Sequence, residues 1–135
     1  MQSMITKNSK ETQRLAGELA EKLIQKKSGQ ALVLALSGEL GSGKTTFIKG
    51  FSRALGVRER VLSPTFVLIH RHILKPNKLI SSKPKKLFHI DAYRLKSGKD
   101  LLKLGVKEIF ANPENIVLIE WADRVKKIIP KTAIW

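Results

Sequence analysis

The chain has 135 residues, 42% of them hydrophobic, enough for one domain with a packed core across 1–135. It has no cysteine, which excludes a disulfide framework, thiolate catalysis and cysteine zinc sites. No apolar run approaches the roughly 20 residues of a membrane span, and the N-terminus lacks an apolar signal core, so a cytoplasmic protein with no membrane partner is expected.

The net charge of +15 would suit an anionic partner. Lysines outnumber arginines 19 to 7, however, and are scattered along the chain. That pattern reads as a generally solvated lysine surface ahead of a dedicated nucleic-acid face, and no DNA partner is expected.

Taken in order, Lys10 to Lys27 predicts a first helix. Leu15, Leu19 and Leu23, with Ala16 and Ala20, recur at spacings of three and four. Ser9 or Thr12 is a candidate cap and Gly29 a candidate stop. Leu32 to Leu36 is an apolar run of strand length. Gly38-Glu39-Leu40-Gly41-Ser42-Gly43-Lys44-Thr45 follows it, a glycine, four free positions and then Gly-Lys-Thr. Phe47, Ile48, Phe51 and Leu55 then share a helical face.

Strand, glycine-rich turn and helix is the context a phosphate-binding loop requires. Glycines let the backbone approach a ligand closely. Successive N–H groups and the helix N-terminus make an anion socket. Lys44 supplies a mobile charge for the outer phosphates, and the Thr45 hydroxyl is placed for Mg²⁺.

Past the helix, Ser63-Pro64-Thr65 opens a predicted strand from Phe66 to His70. Thr65 is a candidate sensor of the outer phosphate. His70 and His72 share a face but have no evident third ligand, and they are expected at the surface. The stretch from Arg71 to Lys86 holds six basic residues and no acidic one. It reads as a long surface connection, with RNA or partner contact as the functional alternative.

Leu87 to Asp91 is a third predicted strand. Leu101 to Phe110 is mostly helical with a break at Gly105, and Pro113 stops it. Ile116 to Ile119 is the apolar run of a buried central strand, ending on Glu120. Val125 to Ile129 is a short helical piece, and Thr132 to Trp135 opens another strand. In open α/β sheets ligands lie at the carboxyl ends of the strands. Glu120 is therefore the first candidate to bind Mg²⁺ or orient the attacking water, with Asp91 competing or cooperating. Trp121 beside it is a candidate lid or a packed residue. Asn77-Lys78-Leu79-Ile80 lacks the aspartate that would pair with guanine, so adenine nucleotide is favoured. Seven dispersed arginines do not make the lid a small-molecule kinase needs.

Four stretches together resemble one family: Gly38 to Phe47, Ser63 to Phe66, His89 to Leu95, and Leu118 to Asp123. Their order and spacing are similar to those of the bacterial TsaE (YjeE) proteins, P-loop ATPases of tRNA threonylcarbamoyladenosine synthesis, over roughly Thr12 to Pro130. The resemblance implies a compact α/β domain with a mixed, mostly parallel sheet flanked by helices. It implies ATP and Mg²⁺ as cofactors, weak hydrolysis alone, and work with TsaB and TsaD, which modify adenosine 37. Contact with tRNA would be indirect, through that complex. It further implies that Gly41, Ser42, Gly43, Lys44, Thr45 and Thr46 hold the phosphates, and that Thr45 and Glu120 hold Mg²⁺. Asp91 would act near the γ-phosphate or its water, Ser63 and Thr65 in a switch-like loop, and Trp121 beside the nucleotide pocket. Lys44, Asp91 and Glu120 are the expected catalytic set. The connection from Arg71 to Lys86 is longer and more basic than the family pattern. The family's further strand beyond Trp135 is expected to be missing here, leaving a truncated sheet edge. The alternative functions are a nucleotide-dependent binding module with incidental hydrolysis and a small-molecule kinase.

Overall fold

A computed structural model of the chain describes residues 8–25, 29–37, 43–57, 69–75 and 86–135. The order is α1 (Ser9–Leu23), β1 (Leu32–Leu36), α2 (Lys44–Ala54), β2 (Ile69–Ile73), β3 (Lys86–Asp91), α3 (Lys99–Lys103), α4 (Val106–Ala111), β4 (Asn115–Glu120) and a 3₁₀ helix (Ala122–Ile128). Among the described residues, no helix is long and apolar enough to cross a membrane.

The four strands form one sheet in the order β1-β4-β3-β2. The β1–β4 and β4–β3 pairs are parallel and the β3–β2 pair antiparallel. The expected mixed, mostly parallel α/β architecture is therefore present. All six residues of β4 are buried, which explains its apolar run: a parallel strand between two others with both faces covered has no solvated side. Burying side chains such as Leu118 and Ile119 stabilises the fold by about 1.5–3 kcal/mol each.

Alternation along the strands divides the core. Val33, Ala35, Phe88, Ile90, Val117 and Ile119 face Leu101 of α3, Val106 and Phe110 of α4, and Val125 of the 3₁₀ helix. Leu34, Leu87, Ile116 and Leu118 face Ile48, Phe51 and Leu55 of α2, with Ala16, Ala20 and Leu23 of α1 in the same cluster.

The helix ends differ from expectation in identifiable ways. α1 is capped by Asn8, whose Oδ1 accepts from Glu11 N–H at 2.9 Å; Ser9 and Thr12 lie inside the helix. Asn8 is extended, with φ −155°, which is the geometry a side-chain cap needs. The helix stops at Leu23, short of the expected Lys27. Gly105 at φ +83° separates α3 from α4, as the break in periodicity predicts.

β2 begins within the expected strand but runs on to Ile73. Arg71, His72 and Ile73 are thus ladder residues, not part of a loop. They pair with Phe88, Leu87 and Lys86. The remaining expectations for 58–68 and 76–85, Ser63 and Thr65 among them, lie outside the described residues. Thr132 to Trp135 does start along the opposite edge. Ile134 N–H donates to Val33 O at 2.9 Å, and Ala35 N–H donates to Ile134 O at 2.7 Å.

Candidate nucleotide site at the carboxyl ends of the strands

Three parallel strands end side by side. Leu36 pairs with Glu120, and Glu120 with Asp91. The register brings the two candidate carboxylates onto adjacent strands, at the end of the sheet from which the chain leaves β1. Gly38 to Ser42, including Gly41 and Ser42, lie outside the described residues. The chain is described again at Gly43, which precedes α2 at φ +92°. A Cβ there would meet nothing within 4 Å among the described residues, and the left-handed backbone is what calls for glycine.

α2 starts at Lys44 and carries Thr45 and Thr46 in its first turn, both half-buried. Thr45 Oγ1 donates to Glu120 Oε1 at 3.4 Å. Glu120 itself is 3% exposed. Its other oxygen, Oε2, lies 2.7 Å from His89 Nε2, and His89 is 1% exposed. Asp91 is half-buried, and its Oδ1 accepts from Tyr93 N–H at 2.9 Å, an Asx turn that redirects the chain after β3.

Trp121 follows Glu120 with φ +58° and ψ +40°. A left-handed tryptophan costs on the order of 1–3 kcal/mol unless its surroundings hold it. Here they do. The Lys44 Nζ lies 3.8 Å from the indole centroid, the Tyr93 ring packs at 5.0 Å, and the Arg124 guanidinium lies 5.5 Å away. The turn after β4 thus aims the indole at the head of α2.

The structure brings Lys44, Thr45, Glu120, Asp91 and Trp121 to one end of the sheet, as the sequence suggested. Thr46 is on the same first helical turn. Thr65 is outside the described residues. Two readings change. His72 is 7% exposed and His70 half-buried, not surface residues. β2 hydrogen-bonds to β3, which sets His70 opposite His89 and His72 opposite the core residue Leu87. Second, His89 acquires a partner that the sequence reading did not give it. The available signal was a histidine inside an apolar strand, two residues before Asp91 and so on the same face.

Chemically, the arrangement presents a buried carboxylate and a hydroxyl from a helix N-terminus, with an ammonium one residue earlier. Those donors suit a hard cation that keeps most of its other ligands as water or phosphate oxygen. Among the described residues, no group of three or more His, Asp or Glu is arranged to hold a metal ion by itself.

Known proteins share this framework. The family model described as "Threonylcarbamoyl adenosine biosynthesis protein TsaE" matches residues 6–135. The tRNA threonylcarbamoyladenosine biosynthesis protein TsaE of Haemophilus influenzae is 31% identical over 121 residues, 90% of this chain and 71% of that protein. Its namesake in Bacillus subtilis is 36% identical, over 73% of this chain and 56% of that protein. The Treponema pallidum protein of the same name is 31% identical over 96% of this chain and 85% of its own length. The crystal structure of Bacillus subtilis YdiB superposes with a TM-score of 0.65 and 32% identity, covering 93% of this chain and 68% of that one. The chain belongs to the TsaE family of threonylcarbamoyladenosine biosynthesis proteins.

Proposed function

We propose that this chain is a Mg²⁺-dependent ATPase that serves the threonylcarbamoyladenosine modification of tRNA position 37, acting with the TsaB–TsaD pair. The observation that carries the reading is the Glu120 carboxylate. It is buried at the end of β4 and reaches both His89 and the first turn of α2. A buried carboxylate at that position, next to a Gly-Lys-Thr helix start, has a ready use as a phosphate-side metal ligand.

In this reading Thr45 Oγ1 and Glu120 Oε1 hold the Mg²⁺. The ion supplies charge neutralisation at the phosphate oxygens. Lys44 leaves the indole of Trp121 and places its ammonium on the outer phosphates. The backbone from Gly41 to Thr46 cradles them. Asp91, beside Glu120 in the ladder, orients the water that attacks. Thr65 senses the outer phosphate. Location in the cytoplasm follows from the proposed work on tRNA, which the chain meets only through its partners.

The test is Mg²⁺-dependent ATP hydrolysis by the purified chain, alone and with TsaB–TsaD. Low activity alone that rises with the pair is expected. Lys44→Ala and Glu120→Ala should each lower turnover by about 100-fold or more, as removal of preorganised charge at a transferring phosphoryl group does. Unchanged turnover in Glu120→Ala would overturn the ATPase reading. ATP binding without hydrolysis, in either setting, would turn the chain into a nucleotide-dependent binding module.

A further inference from the structure

The Glu120 carboxylate is fixed from behind. His89 lies on β3, one strand over, opposite Leu118 in the parallel register and two residues before Asp91. Its Nε2 is 2.7 Å from Glu120 Oε2 with both side chains almost wholly buried, 1% and 4% exposed. That is the short distance of a charge-assisted bond. The other ring nitrogen, Nδ1, is buried with no hydrogen-bond partner among the described residues.

We propose that His89 is a positioning residue for Glu120: through its Nε2–Oε2 hydrogen bond it clamps Oε2 and thereby turns Oε1 towards Thr45.

The inference deepens the proposed function and rests on it for its catalytic consequence. A carboxylate on a strand end has rotational freedom about its last torsion, which is broad. With Oε2 clamped, that torsion is set, and Oε1 is presented to the Thr45 side without a search. Groups that orient a metal ligand in this way typically account for about 10–100-fold in metal affinity or activity. A purely structural histidine, present only to neutralise a buried acid, would be replaceable by any residue that keeps the fold. It would not change how much Mg²⁺ the reaction needs.

Two variants and one spectrum separate these roles. His89→Leu removes the donor at similar volume, and His89→Gln returns an amide N–H at similar reach. His89→Leu is expected to raise the Mg²⁺ concentration for half-maximal ATP hydrolysis, or to lower turnover, by about 10–100-fold. His89→Gln should recover most of that loss. ATP binding in EDTA, measured by equilibrium dialysis, should stay the same in both, because the phosphate loop does not use His89. If His89→Gln is as impaired as His89→Leu, or His89→Leu behaves as the unaltered chain, the positioning role is refuted. Nitrogen-15 spectra of the nucleotide-free protein test the clamp without any hydrolysis: the His89 Nε2 resonance must show a hydrogen bond to Glu120. A His89 Nε2 that makes no hydrogen bond overturns the inference even if both variants fold poorly. Should the unaltered chain not hydrolyse ATP, the ATPase reading fails, and the nitrogen-15 measurement still decides whether His89 clamps Glu120.

Discussion

The ammonium of Lys44 rests on the indole of Trp121, 3.8 Å from the ring centroid. The same ammonium is the one the phosphate-binding role requires. A cation on an indole face is stabilised by about 0.5–2 kcal/mol, depending on how far it is desolvated. In the proposed role, nucleotide would displace that contact. With Trp135 replaced by phenylalanine, Trp121 is the only indole left in the chain. Its emission is expected to shift when ATP is added and to start from a different value in a Lys44→Ala background. Identical Trp121 emission with and without Lys44, in the absence of nucleotide, would show that the contact does not persist in solution.

Thr45 tests the proposed metal-side geometry separately from folding. Its hydroxyl is 3.4 Å from Glu120 Oε1, longer than an ordinary O–H···O bond. That bond therefore adds little to stability, and Thr45→Val keeps the shape of the side chain. The substitution should shift the unfolding midpoint in urea by an amount worth less than about 1 kcal/mol, while Mg²⁺-dependent hydrolysis falls by about 10–100-fold or more. A large loss of stability with activity intact would assign Thr45 to packing.

Much of this arrangement was open to a reader of the sequence because it is written in short-range pattern. The apolar run before Glu120, the Gly-Lys-Thr at a strand-to-helix turn and the break at Gly105 are each local signals, and each falls where the pattern sets it. The register of the sheet is not local. That Glu120 and Asp91 would be ladder neighbours, and that His89 would meet Glu120, depends on β4 entering between β1 and β3. The length of β2 was misread for the same reason. Arg71-His72-Ile73 looks like the start of a basic loop on its own, but the ladder with β3 claims it. The cap of α1 was missed because Asn8 precedes two other plausible caps, and only its extended backbone distinguishes it.

His70 gives the fold an acid-sensitive edge. Burial, first, and then the neighbouring His89 and His72 hold its imidazole below the ordinary histidine pKa of 6.5. A base whose folded pKa is depressed binds protons more readily when unfolded. Above the unfolded pKa both states are neutral, and His70 contributes nothing to the pH dependence. As pH falls through the ordinary histidine value, the unfolded chain takes up its proton first and stability drops. Urea unfolding between pH 7.5 and 5 should show this loss, and His70→Gln should flatten the curve over the same window. An unchanged slope in His70→Gln would place the acid sensitivity on other groups.

Two glycines on facing helices make opposite predictions. A Cβ built on Gly50 in α2 would lie 2.4 Å from the carbonyl oxygen of Gln13 in α1 and 2.5 Å from its Cα. Both are backbone atoms that cannot swing aside, so alanine must push the helices apart. The same addition at Gly17 in α1 would meet only Ala54 Cβ at 3.7 Å and Gly50 O at 3.9 Å, ordinary contacts. Helix propensity favours alanine by about 1 kcal/mol at either site. At Gly17 that gain stands, and Gly17→Ala is expected to be neutral or more stable. At Gly50 overpacking of about 1–3 kcal/mol, or more against backbone, opposes it. Gly50→Ala should therefore lower the thermal midpoint by several degrees. It should also weaken ATP binding, because the helix it displaces begins with Lys44 and Thr45. Equal stability in the two variants, read from paired thermal unfolding curves, would mean that the helices sit further apart than this packing requires.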